Sequence, residues 1–490
     1  MANTARSRAL PSFGGPVGFG IILAVQVLLV LMMFVDWRLP ILAVMGVAVV
    51  GASLQWPLVG ICLLLAARLI STGGLTFVRI GGMALGLFEP VLLIALGAFV
   101  YHIAFYRISI TRPFPWRTPF IILAIWIGVG LLWSSSRSAG IQDVVALAII
   151  TTTTTLILTF VRSYDDFLVC AKAWVGASLL IAVLSVTLDF SAGGAEFEAA
   201  ASGGRETGLG QQPNWFAMNL MYSVLLSFSL ALLQRRALWR FAYVGVALVI
   251  FLAQLRSGSR GGLYAIAIAG IVVAMFHPVL RAWIRRFAVF VGLVFAFYLF
   301  TETGSATAKA VFRLSSNIGH IFGSSFRGQN WLACGQMFTD TYGIGMGAGG
   351  YPELIKDYSW RVYNSVYRYP HGIFWGLMAH QGIVGLFAYA WLVTSIFKMA
   401  SQLVVWTRGS AIAVFAWSMP ATMLGYFMWS FFEFNLDDKP FWEFLALYTA
   451  LYLAVGKSVK EGIPLPELPT SFLHAWQEQL NEQKSDSETA

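Results

Sequence analysis

Charge is scarce in this chain. Asp, Glu, Lys and Arg make up 11% of its 490 residues, where an ordinary soluble domain carries about a quarter. With 58% hydrophobic residues and a mean hydropathy of +0.73, a water-soluble globular fold is excluded. Cysteine is nearly missing too. Cys62, Cys170 and Cys334 form an odd set with no paired spacing, so neither a disulfide framework nor a zinc site is indicated. No Walker A sequence and no run with metal-ligand spacing occurs. The net charge of +9 comes from basic residues scattered over short loops, not gathered on one face, so nucleic acid is not an expected partner.

What the chain has instead is apolar length. Runs of about 18 or more residues recur throughout, as a polytopic helical membrane protein requires. Hydropathy places about fourteen spans, near 17–35, 39–54, 57–70, 83–106, 119–133, 141–161, 166–188, 213–233, 238–255, 260–276, 283–300, 372–397, 409–430 and 440–456. The count falls to about twelve if the second and third form one broken hairpin. Arg6 and Arg8 precede a first run long enough to span, with no small-residue cleavage pattern after it. With the N-terminus inside, inner loops hold Arg107, Arg112 and Arg117, then Arg235, Arg236 and Arg240, then Arg281, Arg285 and Arg286, then Lys398 and Arg408, then Lys457 and Lys460. This is the positive-inside pattern, and both termini are expected in the cytoplasm. The fold expectation is therefore all-α and polytopic, with about 12–14 transmembrane helices and one long outer loop, 301–371. Organisation follows from it: N-terminal spans over 1–190, a central region over 191–400, C-terminal spans over 401–460 and a polar cytoplasmic tail over 461–490.

The outer segments carry the suggestive residues. Ser324 and Ser325 are candidate N-caps for a helix in which Arg327, Trp331, Cys334 and Phe338 share a face. An arginine in a first helical turn adds charge where free backbone N–H groups already favour an anion. Arg205 lies in an outer loop before the span that Pro213, Asn214 and Trp215 open. Arg256 and Arg260 stand at the outer ends of two spans, where Gly258, Gly261 and Gly262 permit a tight turn. They suit either lipid headgroups or a substrate phosphate. His371 follows Pro370 at the threshold of a long apolar helix, where an imidazole is a natural near-neutral proton acceptor. His380, deeper in that helix, is expected to hydrogen-bond within the bundle. Gly345, Gly347 and Gly350 spell G-x-G-x-x-G without a preceding strand or βαβ unit, so the dinucleotide reading fails. A flexible turn is expected there, with amides open to an anion. A fourth outer segment, Glu433 to Lys439, is short and acidic. The threonine run 151–155 inside a span suits back-bonding and helix packing.

In order and spacing these residues resemble the bacterial O-antigen ligase and Wzy-type polysaccharide polymerase superfamily. The resemblance is carried by Arg205, Gly208, Pro213 and Asn214, then Ser259 to Gly262, then Arg327 with Trp331. Gly343, Gly345 and Gly347 follow, and last His371 with Gly382, Ile383 and Gly385 eleven residues on. It spans about 205–390. One position departs: the family pattern reads His-Asn where this chain has His371-Gly372. The resemblance implies a GT-C-like glycosyltransferase of the inner membrane, metal-independent and inverting, with its site on the periplasmic side and no cofactor. The implied donor is a glycan on undecaprenyl diphosphate. The implied acceptor is lipid A core or another lipid-linked glycan, with a chain-length regulator and a flippase as pathway partners. It assigns the diphosphate to Arg205, Arg260 and Arg327, catalysis to His371, and support to Arg256, Asn214 and Trp331. The aromatics Trp360, Tyr363, Tyr367 and Tyr369 suit either sugar stacking or an interfacial belt. The competing class is a transporter or flippase, for which Glu89, His102 and Glu443 are the ionisable groups inside spans.

Overall fold

The computed structural model describes residues 38–71, 78–80, 83–106, 108, 113–187, 213–257, 259–276, isolated positions from 281 to 293, 326–359, 369–431, 433–434 and 436–467. Within them the chain is a helical bundle. In order come α1 (Arg38–Gln55), α2 (Pro57–Ser71), a hairpin of β1 (Val78–Ile80) and β2 (Met83–Leu85), α3 (Phe88–Tyr106), α4 (Arg117–Val129), α5 (Arg137–Phe160) and α6 (Tyr164–Thr187). Then follow α7 (Pro213–Leu232), α8 (Ala237–Arg256), α9 (Arg260–Phe276), α10 (Phe326–Asp340), α11 (Tyr351–Tyr358), α12 (Ile373–Trp406), α13 (Ala413–Ser430) and α14 (Lys439–Glu461). Six of the described helices are long and apolar enough to cross a membrane. The first expected span lies outside the described residues, and the eleventh largely so.

The second and third expected spans are separate helices joined through Trp56. Two details differ from the hydropathy reading. The fourth begins late, because Met83–Leu85 pairs antiparallel with Val78–Ile80. Helix starts only at Phe88, where the Glu89 carboxylate accepts the Gly86 N–H at 2.7 Å in the manner of a reciprocal cap. The twelfth runs on to Trp406, well past the expected end. The threonine run behaves as expected: Thr151, Thr152 and Thr155 donate to carbonyls four residues back.

Of the long loop 301–371, residues 326–359 and 369–371 are described. Its helix α10 begins at Phe326, as the spacing suggests. After it the glycine-rich segment does not swing freely; it is threaded into a break in α12. Gly382 (φ 60°, ψ −154°) interrupts that helix, leaving the Ala379, His380 and Gln381 carbonyls without helical donors. Met346 N–H donates to Ala379 at 2.7 Å and Gly347 N–H to His380 at 2.9 Å. Trp126 Nε1–H takes Gln381 at 2.8 Å. In return, Ile383 N–H donates to the Gly343 carbonyl at 2.8 Å. Broken backbone at membrane depth is tolerated only when its polar groups are satisfied in this way. Of the amides expected to be open to an anion, those of Gly345 (to Thr341 Oγ1 at 3.0 Å) and Gly347 are thus spent on the fold, which corrects that reading for both.

A side chain at Gly345 would meet the His380 carbonyl and the Gly382 nitrogen at 2.6–2.8 Å. At Gly382 it would collide with the Gly343 and Ile344 carbonyls. Gly382→Ala is therefore expected to destabilise by at least about 3 kcal/mol, since that backbone region is open essentially to glycine alone. Thermal unfolding in detergent, followed by tryptophan fluorescence, measures it. Gly335→Ala in α10, where an added carbon meets nothing within 4 Å, is expected to be neutral or stabilising.

Candidate functional site

Several connections converge on one end of the bundle. The α4–α5 turn meets the glycine loop, with Trp133 Nε1–H donating to the Gly345 carbonyl at 3.1 Å and Ser134 Oγ–H to that of Ala348. The start of α9 packs on the last turn of α13: a side chain at Gly261 would strike Trp429 Cδ1 at 2.6 Å. Beside it Gly262 backs onto Ala217 of α7. The Ser-Arg-Gly-Gly turn therefore needs glycine for close helix packing. Ser259 caps α9 by accepting the Gly262 N–H.

At this end three helix starts meet one carboxylate. Glu433, in the loop between α13 and α14, is 2% exposed. Its Oε1 accepts from Asn214 Nδ2 at 2.8 Å, in the first turn of α7, and from Arg327 Nη2 at 3.1 Å, in the first turn of α10. Its Oε2 lies 3.5 Å from Nδ1 of His371, just before α12. The Arg327 side chain remains 41% exposed, and only one of its five N–H donors goes to Glu433. The buried charge is thus paired and hydrogen-bonded, as a carboxylate removed from water must be.

His371 is held from several sides. Its carbonyl accepts the Trp331 Nε1–H, and Trp331 stacks on Trp375 with centroids 5.7 Å apart and planes 15° from parallel. The Tyr369 ring leans on the imidazole at 4.7 Å, and Asn330 fixes the Tyr369 carbonyl by a 3.0 Å bond from Nδ2. Asn330 Oδ1 in turn accepts from the Tyr351 hydroxyl at 2.7 Å. Gly372 accounts for the departure from His-Asn. It has φ +110°, and a side chain there would run into the Phe431 carbonyl of the loop that carries Glu433. Cys334 lies close behind, but burial pushes its thiol up to about 12, so it is no nucleophile at neutral pH.

Of the residues singled out in the sequence, Arg327, His371 and Asn214 come together and Trp331 buttresses them. Arg205, Trp360, Tyr363 and Tyr367 lie outside the described residues. The backbone of Arg260 opens α9 at this end, and its side chain lies outside the described residues. Arg256 closes α8 nearby, partly buried. His380 does not hydrogen-bond through Nε2 among the described residues; it is held by ring stacking between Tyr351 and Phe434. The residue that sequence reasoning missed is Glu433. Its signal was a carboxylate in a short outer segment directly after a span, in a chain with few carboxylates.

Further back in the same loop, Asp438 is buried, with the Tyr222 hydroxyl 3.5 Å from Oδ2. Burial first, and the neighbouring Asp437 second, push its carboxyl up to about 8. The groups weighed as a transport pathway are engaged locally. Glu443 pairs with Arg68 at 2.8 Å, with the guanidinium over the Phe88 ring. His102 Nε2 lies 2.8 Å from the Leu54 carbonyl, and Glu89 caps α3.

Compared with known proteins, the sequence matches no protein-family model, and no curated protein matches it significantly.

Proposed function

We propose that this chain is a membrane glycosyltransferase of the O-antigen ligase or Wzy polymerase kind. It acts at the outer face of a bacterial inner membrane on a glycan carried by undecaprenyl diphosphate. The observation that carries the reading is the meeting of Arg327 and His371 at Glu433, with Arg327 still open to solvent. A guanidinium at a helix start is suited to a diphosphate. There it supplies the positive charge that a divalent ion supplies in other transferases. Arg260, Arg205 and Arg256 are the further candidates for that role.

The reaction is a displacement at the anomeric carbon. An acceptor hydroxyl oxygen forms the new C–O bond while the bond from that carbon to the diphosphate oxygen breaks. Its electron pair leaves on undecaprenyl diphosphate, and the configuration inverts. The hydroxyl proton goes to His371. With Nδ1 turned to Glu433, proton acceptance falls to Nε2, and Glu433 orients the ring as a carboxylate does in other imidazole bases.

A strain lacking the chain tests this. The lipid-linked glycan is expected to accumulate on the outer face, accessible to an added lectin in spheroplasts, while mature polymer or capped acceptor is lost. If the glycan stays on the inner face, the flippase reading replaces this one.

A further inference from the structure

Beside the Glu433 cluster lies a polar feature that the reaction above does not use. Asp143 on α5, Asp437 in the loop between α13 and α14, and the His380–Gln381 pair of α12 line one half-open hollow. Its cavity volume is about 30 Å³, room for one or two waters or for one ion of similar size. The rest of its wall is Phe434 and three aliphatic side chains. The loop that delivers Glu433 to the cluster delivers Phe434 and Asp437 here, so the two features adjoin along the chain.

The charge around this hollow is one-sided. Asp143 accepts from the Gly349 N–H of the threaded glycine loop and feels the charge of Asp437. No Lys or Arg lines the space. Two carboxylates on one small volume repel each other unless a positive charge lies between them. Gln381 Oε1 and His380 Nε2 are buried without a hydrogen-bond partner among the described residues, in residues only 2% and 7% exposed. Groups so placed are costly to leave unsatisfied.

What satisfies this set is small, positive and bound through oxygen. The space is too small for an organic ligand, and a water alone leaves the two charges unbalanced. Zinc is a poor match, because among the described residues no three His, Cys, Asp or Glu side chains are grouped to hold a metal ion. Calcium asks for something else. It accepts carboxylate, side-chain amide and water oxygens alike and tolerates irregular geometry, whereas magnesium demands a near-ideal octahedron. Two carboxylates match its charge, and water entering through the mouth completes its shell.

We infer that this hollow is a calcium site in which Asp143, Asp437 and the Gln381 amide oxygen are the protein ligands and His380 Nε2 accepts from an ion-bound water. The ion ties the loop that carries Glu433 to α5 and to the turn of α12 before the Gly382 break. It takes no part in the displacement, and the inference stands whether or not the chain is a transferase.

The test is equilibrium dialysis of radioactive calcium against the full chain in phosphatidylcholine nanodiscs, with empty nanodiscs subtracted. Thermal unfolding of the same samples is followed in calcium and in chelator. Wild type is expected to bind one calcium per chain with a Kd of about 10⁻⁴–10⁻³ M, the range of extracellular calcium modules. It should keep the ion in physiological sodium and equal magnesium, and unfold at a higher temperature with calcium than with chelator. Asp143→Asn and Asp437→Asn keep the shape and are each expected to weaken calcium by about tenfold or more. In chelator neither should unfold earlier than wild type, since a repulsion has been removed. Gln381→Glu adds a carboxylate and is expected to tighten calcium by about tenfold while unfolding earlier in chelator. Groups that serve packing alone would not give those opposite shifts. No saturable calcium on wild type, displacement by sodium or equal magnesium, or Asn variants that bind as wild type does would overturn the site. So would Asn variants that unfold early in chelator, because the carboxylates then hold the fold by themselves.

Discussion

Replacing His371 with alanine is expected to lower glycan transfer by about a hundredfold to ten-thousandfold, the usual contribution of a positioned general base. The readout is turnover of undecaprenyl-diphosphate-linked glycan by purified protein in proteoliposomes. Donor binding is expected to change little, because the imidazole lies against Glu433 and alanine leaves the exposed Arg327 side chain in place. The fold is expected to survive, since it is the carbonyl of residue 371 that accepts the Trp331 bond, and alanine keeps that carbonyl. A variant that transfers as wild type does would remove His371 from the chemistry.

Glu433→Gln is the second large effect. Glutamine keeps the size of the side chain but removes the charge that Arg327, Asn214 and His371 share. Hydrogen bonds to a charged group are each worth about 1.5–3 kcal/mol, so transfer is expected to fall by about tenfold to a hundredfold. A positioning role separates from a merely structural one by how the loss divides. Turnover is expected to drop with the acceptor's KM little changed, and the variant is expected to add almost nothing in a His371→Ala background. Residues acting as one unit are strongly non-additive. Full additivity would mean that Glu433 serves packing alone.

Much of the frame was legible because apolar length is a local property. The long apolar helices, the α10 start and the placing of Asn214, Arg327 and His371 at helix starts follow from hydropathy and first-turn chemistry. Glu433 was not legible, because its role exists only once α7, α10 and α12 converge on a loop far along the chain. A short acidic segment carries no periodicity that could announce this. The glycine loop misled for a related reason. Glycines look like freedom in a sequence, yet Gly343, Gly345, Gly347 and Gly382 are required here by crowding and positive φ where the loop enters the α12 break. The His380–Gln381 pair reads as ordinary helix interior, yet it directly precedes the break at Gly382 and lines one small hollow with Asp143 and Asp437. The hairpin before α3 was hidden because Met83–Leu85 is as apolar as the helix that follows.

The most direct test of the whole account is equilibrium binding of undecaprenyl diphosphate, without glycan, to the full chain in nanodiscs. Wild type should hold the diphosphate well ahead of undecaprenol, and Arg327→Ala should weaken it by about tenfold or more, the loss of a charge-assisted contact. Equal retention of undecaprenol and its diphosphate, or undiminished binding by the Arg327 variant, would contradict the claim that this rim of the bundle grips a lipid-borne anion.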